Sequence, residues 1–400
     1  MRSGRRLLLR ALAAPILLGA CVSAGAIDYQ VHGYAAQGFV YTDDNNFFGK
    51  SSDGSFDYYE AGLNASVQVH PKLMFAAQAA IRDAGISDDG ALRLDYALAD
   101  YRFLEEVDTT LGVRAGKVKN PLGFYDETRD VVFTRPSILL PVGYSDNQNQ
   151  RSLVFTAPGA QLYGTKLWGR HEFSATGTYG SDHDVRHSDE RLLLNLQVGG
   201  QPLPFDLHIQ DSWNAQIMDS IDGGRWQFAV SRFFGRFDLR TPQLYQIAGR
   251  FDVTITLVSA RFNTEKFSIT AEYGTAPNKN RVTVGGIQAL RTSTTSDGGY
   301  LQGEYRINPS WGAFARVEAN YLDRSDRSGR AFVAANPGTD RASRSYRSIV
   351  AGASWRYGEH WGVWGEYHWI DGTVLLQRLE NPQPVADHWS LIMLMAGYKF

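Results

Sequence analysis

Apolar and polar residues alternate with a period of two along nearly the whole chain beyond residue 27, the pattern of strands with two unlike faces. Between Phe56 and Val69, Tyr59, Ala61, Leu63, Ala65 and Val67 share one face, and Glu60, Asn64, Ser66 and Gln68 the other. Leu73, Phe75, Ala77, Ala79 and Ile81 then alternate with Gln78 and Arg82. Phe267, Ile269, Ala271 and Tyr273 oppose Ser268, Thr270 and Glu272, while Trp311, Ala313, Ala315, Val317 and Tyr321 oppose Arg316, Glu318 and Asn320.

The connections alternate in length. Short ones fall at His70-Pro71-Lys72, Leu104 to Asp108, Gly169-Arg170-His171, Asp219 to Gly224, Asn263 to Lys266, Asn308-Pro309-Ser310 and Gly358-Glu359-His360. Long polar ones fall at Asp43 to Ser55, Ala84 to Gly90, Lys119 to Ser152, Ser181 to Pro204, Phe237 to Arg250, Thr275 to Gly298, Asp323 to Ser345 and Gly372 to His388. Seven short turns alternating with eight long loops give about sixteen strands. Ser181 to Pro204 and Thr275 to Gly298 are long enough to hide extra hairpins. Short turns on one side, long loops on the other and an even strand number predict an all-β fold, a transmembrane antiparallel β-barrel of the Gram-negative outer membrane. Closure also removes the sheet edges through which so many hairpins would aggregate.

Two soluble folds also alternate. A sandwich carries a denser Val/Ile/Leu core face than these Ala-, Gly- and aromatic-rich faces. A propeller shows a repeat of ~40–50 residues, which is absent here. The final segment is the most specific feature: Ile392, Leu394, Ala396, Tyr398 and Phe400 alternate and stop on an aromatic, resembling the terminal insertion signal of outer-membrane barrels. Although 400 residues suit two or three soluble domains, single large barrels are the exception. Beyond the N-terminus no run approaches the ~20 apolar residues of a spanning helix.

Residues 1–26 read as a signal peptide, with Arg2, Arg5 and Arg6 as the basic region, Ala11 to Ala20 as the apolar region and Ala24-Gly25-Ala26 as the cleavage site. The barrel then spans 27–400. Leu18-Gly19-Ala20-Cys21 also resembles a lipobox, so a lipidated Cys21 competes with a start at Ile27. Cys21 is the only cysteine, which leaves the mature chain without disulfides or cysteine metal sites. The formal charge is −2 and becomes about −6 once Arg2, Arg5, Arg6 and Arg10 are removed; this does not point to a nucleic-acid partner.

A sixteen-strand barrel is too wide for strand side chains to fill. Glu60, Asn64, Gln78, Arg82, Arg93, Asp95, Arg114, His208, Gln210, Gln302, Glu304, Arg306, Arg316, Glu318, Glu366 and His368 are assigned to the inner face. Basic residues facing lipid would cost about 2–4 kcal/mol each near the midplane, so their alternation predicts a wet lumen. The third loop, after a fifth strand at about Thr109 to Val118, is the constriction candidate, covering 119–152.

The run Gly116-Lys117-Val118-Lys119-Asn120-Pro121-Leu122-Gly123, followed by Arg129-Asp130 and by Arg135 before Pro136 and Ser137, resembles the corresponding loop of the phosphate-selective porins O and P. The run Asp43-Asp44-Asn45-Asn46-Phe47-Phe48-Gly49 resembles porin-like relatives of that family. The resemblance implies a trimeric porin whose third loop folds inward, passing small hydrophilic solutes, phosphate or organic anions among them, without a cofactor. On the residues, Arg82, Arg93, Arg114, Lys117, Lys119, Arg129, Arg135 and Arg316 are candidate sources of positive potential at the constriction. Asp126, Glu127 and Asp130 sit in the same loop, and the clustered lysines of the phosphate-binding members are missing. The other reading is that these charges pair and brace the loop against the wall.

Catalytic and metal constellations are not evident. Nine histidines are scattered, and His183 and His187 share a loop rather than a helix. No G-x-S-x-G elbow occurs, so an enzyme is not expected. Ser87-Asp88-Asp89-Gly90 offers carboxylates that could bind calcium or bridge lipopolysaccharide through divalent cations, or is a solvated turn. The expected function is a passive porin, and the alternative is a non-conducting structural or adhesive barrel.

Overall fold

A computed structural model of the protein describes residues 28–85, 88, 90–125, 128–141, 154–184, 197–198, 201–202, 205–382 and 384–400. The segment expected to be a signal peptide, with Cys21 and Ile27, lies outside the described residues, as do Ser87, Asp89, Asp126, Glu127 and His187. Sixteen long strands form the wall among the described residues. The first seven are β1 (Asp28–Thr42), β2 (Tyr59–His70), β3 (Leu73–Asp83), β4 (Arg93–Glu105), β5 (Thr109–Lys119), β6 (Thr156–Trp168) and β7 (His171–Gly180). Five long strands follow: β8 (Asp206–Ile221), β9 (Trp226–Arg240), β10 (Ile247–Asn263), β11 (Phe267–Val284) and β12 (Ile287–Arg306). The last four are β13 (Trp311–Tyr321), β14 (Ser345–Tyr357), β15 (Trp361–Asp371) and β16 (His388–Lys399). Each strand pairs antiparallel with its chain neighbours, and β1 closes the barrel against β16. All seven short turns fall where the alternation predicts them.

Two of the expected long loops are instead strand. Phe237 to Arg250 and Thr275 to Gly298 belong largely to β9–β12, which rise well above their neighbours. β11 and β12 are joined by Gly285-Gly286 alone, both at positive φ (58° and 78°), as a two-residue hairpin turn of type I′ requires. Polar residues on both faces imitate a loop in the sequence, because a strand outside the membrane has no lipid-facing side to mark. Thr275 to Gly298 thus lengthens one hairpin and adds none. In Ser181 to Pro204 the described part holds only two-residue strands, His183–Asp184, Gln197–Val198 and Gln201–Pro202.

A β-bulge between Ile209 and Asp211 corrects a second expectation. Below it, buried Ser212 and Asn214 face inward; above it, buried Leu207 and Ile209 do. His208 and Gln210 therefore lie on the outer face, since one extra residue reverses the alternation. There Gln210 donates to Asp238 and His208 meets Asp182 and Asp184.

The outer wall carries exposed apolar residues in cross-strand register. Ile217 pairs with Val230, and Val230 with Val258; Leu301 pairs with Val317, and Val317 with Ile349. Trp226, Phe267, Tyr305, Trp311, Trp361 and Tyr398 form an exposed aromatic girdle at the turn end, as a membrane interface favours. The inner positions between them are buried: Ser259, Glu272, Tyr300, Glu318 and Ser348 lie in one continuous register.

The lumen itself departs from the expected uniformly polar interior. Two apolar clusters occupy it. One joins β1, β14, β15 and β16 to the first, third and eighth loops through Tyr34, Phe47, Phe133, Leu139, Trp364, Leu375 and Met393. The other joins β8–β10 to the third loop through Leu122, Tyr125, Phe155, Leu207, Phe233 and Leu239. β16 is consequently apolar on both faces: Ile392 and Leu394 point to lipid, Leu391 and Met393 to the cluster. The Asp43–Gly49 run closes this plug from above. Asn45 and Ala386 exchange hydrogen bonds of 2.8 and 2.9 Å, clasping the first loop to the eighth.

Candidate functional site

The described parts of the third loop, residues 120–125, 128–141 and 154–155, lie inside the barrel against two sides of its wall. The loop's apolar residues alternate in allegiance: Leu122, Tyr125, Leu140 and Phe155 pack on the tall wall, while Val132, Phe133, Ile138 and Leu139 pack on the opposite side. Phe133 meets Trp364 edge-on at 5.0 Å between ring centroids. A chain segment inside a barrel still needs acceptors for its amides, and wall side chains supply them. Gly123 N donates to Ser231 (3.0 Å) and Phe124 N to Glu272 (3.1 Å). Glu366 accepts from the amides of Ile138 and Leu139. Gln216 returns a bond to the Gly123 carbonyl (2.9 Å). Burial pushes the Tyr125 phenol up to about 12, so at neutral pH it remains a donor, with Glu304 3.4 Å away.

Four of the sequence-assigned cations are buried. Arg135 is buried against Glu60 and donates to the Arg129 carbonyl (2.9 Å). Arg316 reaches Ser137 (3.2 Å), the Leu139 carbonyl (3.1 Å) and Gln302 (3.1 Å), with Glu318 at 3.5 Å. The Arg129 guanidinium lies 3.7 Å from the Phe155 ring centroid. Arg82 lies beside the stacked Phe48 and Tyr58 rings, 5.6 and 5.4 Å from their centroids. Arg135 and Arg316 thus tie the third loop to the wall, whereas Arg82 contacts the first loop and Asp88.

Three others behave differently. Arg93 bonds Asp88 at 2.6 Å, with side-chain exposures of 19% and 2%. Arg114 bonds Asp100 at 3.0 Å, with 31% and 4%. Lys119 bonds Asp130 at 2.6 Å, with 20% and 8%. In every pair the cation meets solvent and the carboxylate is recessed behind it. Low-dielectric walls focus such a field along the passage. Arg114 also covers the Tyr163 ring at 4.3 Å and donates to Gln161 (2.8 Å). Lys117 is half-buried and bonds the Leu94 carbonyl at 2.6 Å. Asp88 therefore belongs to an interior ion pair rather than to a solvated turn.

Sequence reasoning missed the anchoring roles of Glu60, Glu272 and Glu366, and of Asp88 and Asp100 as counter-ions. Alternation alone placed Glu60 and Glu366 inside; their partners come from a loop distant in sequence. His368 bonds Glu366 at 3.1 Å and His183 meets the Ser181 carbonyl at 2.8 Å. Among the described residues no three His, Cys, Asp or Glu side chains converge as a metal site.

The described residues form a closed sixteen-strand antiparallel β-barrel with part of its third loop turned inward. No protein-family model matches the chain, and no curated protein matches it in sequence. Solved structures do match over nearly its whole length. An anion-selective porin from Comamonas acidovorans superposes with a TM-score of 0.56 at 10% identity, covering 94% of this chain and 100% of that one. The outer membrane channel DcaP of Acinetobacter baumannii gives 0.53 at 12% identity, with 96% and 99% covered. OmpT of Vibrio cholerae, in a trimer form, gives 0.52 at 12% identity, with 94% and 100% covered. At these identities the likeness is one of fold.

Proposed function

We propose that the protein is an outer-membrane porin, a passive diffusion channel that prefers small anions. The carrying observation is the asymmetry of the three pairs on β4, β5 and the second and third loops, where the side chains of Arg93, Arg114 and Lys119 are partly exposed and their carboxylates are recessed. Apolar clusters pack against β1 and β14–β16 on one side of the lumen and β8–β10 on another, and neither covers these three pairs. Solutes would pass these pairs by diffusion, with no covalent step and no cofactor. The outer apolar register and aromatic girdle support residence in the outer membrane. The similar Comamonas protein is anion-selective and the similar Vibrio protein forms trimers, which supports both properties here. Each of the three cations is paired with a carboxylate, unlike the clustered lysines of phosphate-selective porins. Hydrophilic anions in general, inorganic phosphate and organic acids included, are therefore the solute class.

Planar bilayers test this directly. Wild-type protein in a potassium chloride gradient should show steady conductance with a reversal potential of anion sign. The triple variant Arg93→Gln, Arg114→Gln, Lys119→Gln should lower the anion-to-cation permeability ratio about threefold or more, because three focusing charges are gone. Cation preference in the wild type, or a ratio unmoved in the variant, would sink the selectivity. Absence of conductance would favour the non-conducting barrel.

A further inference from the structure

The tall wall has a second face, and it is basic. On the extramembrane part of β10, β11 and β12, Arg250 stands directly opposite Arg281, and Arg281 directly opposite Arg291. Their side chains share the outer face, because the register runs without a shift from Val258, Tyr273 and Leu301, which are lipid-facing. Phe251 and Val253, of opposite parity, pack into the lumen cluster. Like charges directly opposed across strands destabilise a sheet. Arg250 is held by Asp238 at 2.9 Å. Lys279, two residues from Arg281 on the same face, is in register with Asp252, which bonds Arg236 at 3.0 Å. Arg281 and Arg291 are exposed and make no hydrogen bond or ion pair among the described residues.

The same strands carry an apolar groove lower down. It measures about 840 Å³ and is lined by Val258, Ala271, Leu301 and Val317, with Gly299 and Ala319 as its floor. At its upper lip Tyr273 donates to Asp297 (2.7 Å), which also binds Arg327. Arg291 lies about 14 residues up β12 from the girdle Tyr305, roughly 35 Å at ~3.3 Å per residue and ~40° tilt. The apolar band of such barrels is ~25 Å tall, so the arginines stand roughly 10 Å beyond the hydrocarbon edge. A phospholipid headgroup layer is only about 5–8 Å deep.

We propose that this face is a docking site for an anionic outer-leaflet glycolipid, whose acyl chain lies in the groove and whose phosphate groups neutralise Arg281 and Arg291. The inference rests on the barrel spanning the outer membrane, and it moves contact with lipopolysaccharide from the Asp88 loop to the tall wall. Phosphates carried on a sugar core reach the required height, and those of a phospholipid do not. A second copy related by a two-fold axis through this face would set arginine against arginine.

The test uses the full-length barrel in detergent, titrated with lipopolysaccharide bearing a phosphorylated core, with the same glycolipid after dephosphorylation, with phosphatidylglycerol and with inorganic phosphate. Dissociation constants are read by native mass spectrometry. The phosphorylated glycolipid should bind at least tenfold tighter than the other three. The variant Arg281→Glu, Arg291→Glu should weaken it about 30-fold, since each basic residue at an anionic surface matters by roughly a factor of five. That variant relieves the opposed charges and should fold at least as well as wild type. Equal affinity for the dephosphorylated glycolipid or phosphatidylglycerol would overturn the proposal, as would competition by millimolar phosphate alone. Unchanged binding in the variant, or a changed oligomeric state in it, would also overturn it. Conductance in glycolipid-free phospholipid bilayers should be unaffected by the variant, so failure of the porin reading shows there and failure of this one in the titration.

Discussion

Two walls of one barrel hold ion pairs of opposite design. Where the third loop meets β2 and β13, both partners are sealed: Arg135 with Glu60, and Arg316 with Glu318, at side-chain exposures of 2% or less. On β4 and β5 the cation is partly in water while its carboxylate is not. A sealed pair has exchanged hydration for mutual attraction and geometry, and its stabilising effect lies in holding the loop. A half-solvated pair adds little to stability, and under the proposed function its partly exposed cation supplies the positive potential that anions meet. The same residue types are thus brace or field source according to burial alone.

Breaking the braced side should give the largest effect. Arg135→Ala leaves the Glu60 carboxylate buried without its partner, at a cost of about 3–5 kcal/mol. The loop can escape that cost by leaving the wall, so single-channel conductance should rise and become noisy. A quiet record of wild-type size would contradict the bracing role. Glu366→Gln keeps the shape but removes the charge from the acceptor of two loop amides, a loss of about 1.5–3 kcal/mol. Protease accessibility of the third loop should increase with little change in the urea midpoint of the barrel. Protection equal to wild type would show that Glu366 is not an anchor. The smallest effect belongs outside the membrane. Gly286→Ala forces a side chain onto a φ of 78°, costing about 1 kcal/mol locally. Hydrogen exchange at the hairpin tip should quicken while conductance and selectivity stay fixed; altered selectivity would tie the tall hairpin to the passage.

The anion-pathway variant and the bracing variants also separate by kind. Removing Arg93, Arg114 and Lys119 should change selectivity with modest stability loss. Removing Arg135 should change conductance and loop order first. A molecule in which both sets behaved alike would have no functional division between its walls.

Much of the fold was legible because a barrel wall imposes a strict two-residue period. Leu63, Val317 and Leu394 had to face lipid and Glu60, Glu318 and Glu366 had to turn away, since the reverse is costly in hydrocarbon. Turn chemistry did the rest, and His70-Pro71-Lys72 and Asn308-Pro309-Ser310 stand where they were expected. The rule stops where lipid stops. Above the membrane Thr275 to Gly298 reads as loop yet is strand, and the bulge at Ile209 moves His208 and Gln210 to the outside without any mark in the alternation.

The sequence by itself therefore determined the barrel, its approximate strand number and, within the membrane span, which wall side chains enter the lumen, because each follows from local alternation against a membrane. Only the tertiary structure decided what those side chains do there. Whether Arg93 or Arg135 meets water depends on where the third loop, Glu60 and Asp88 come to rest. Those contacts are made between segments far apart in the chain, and alternation cannot encode them.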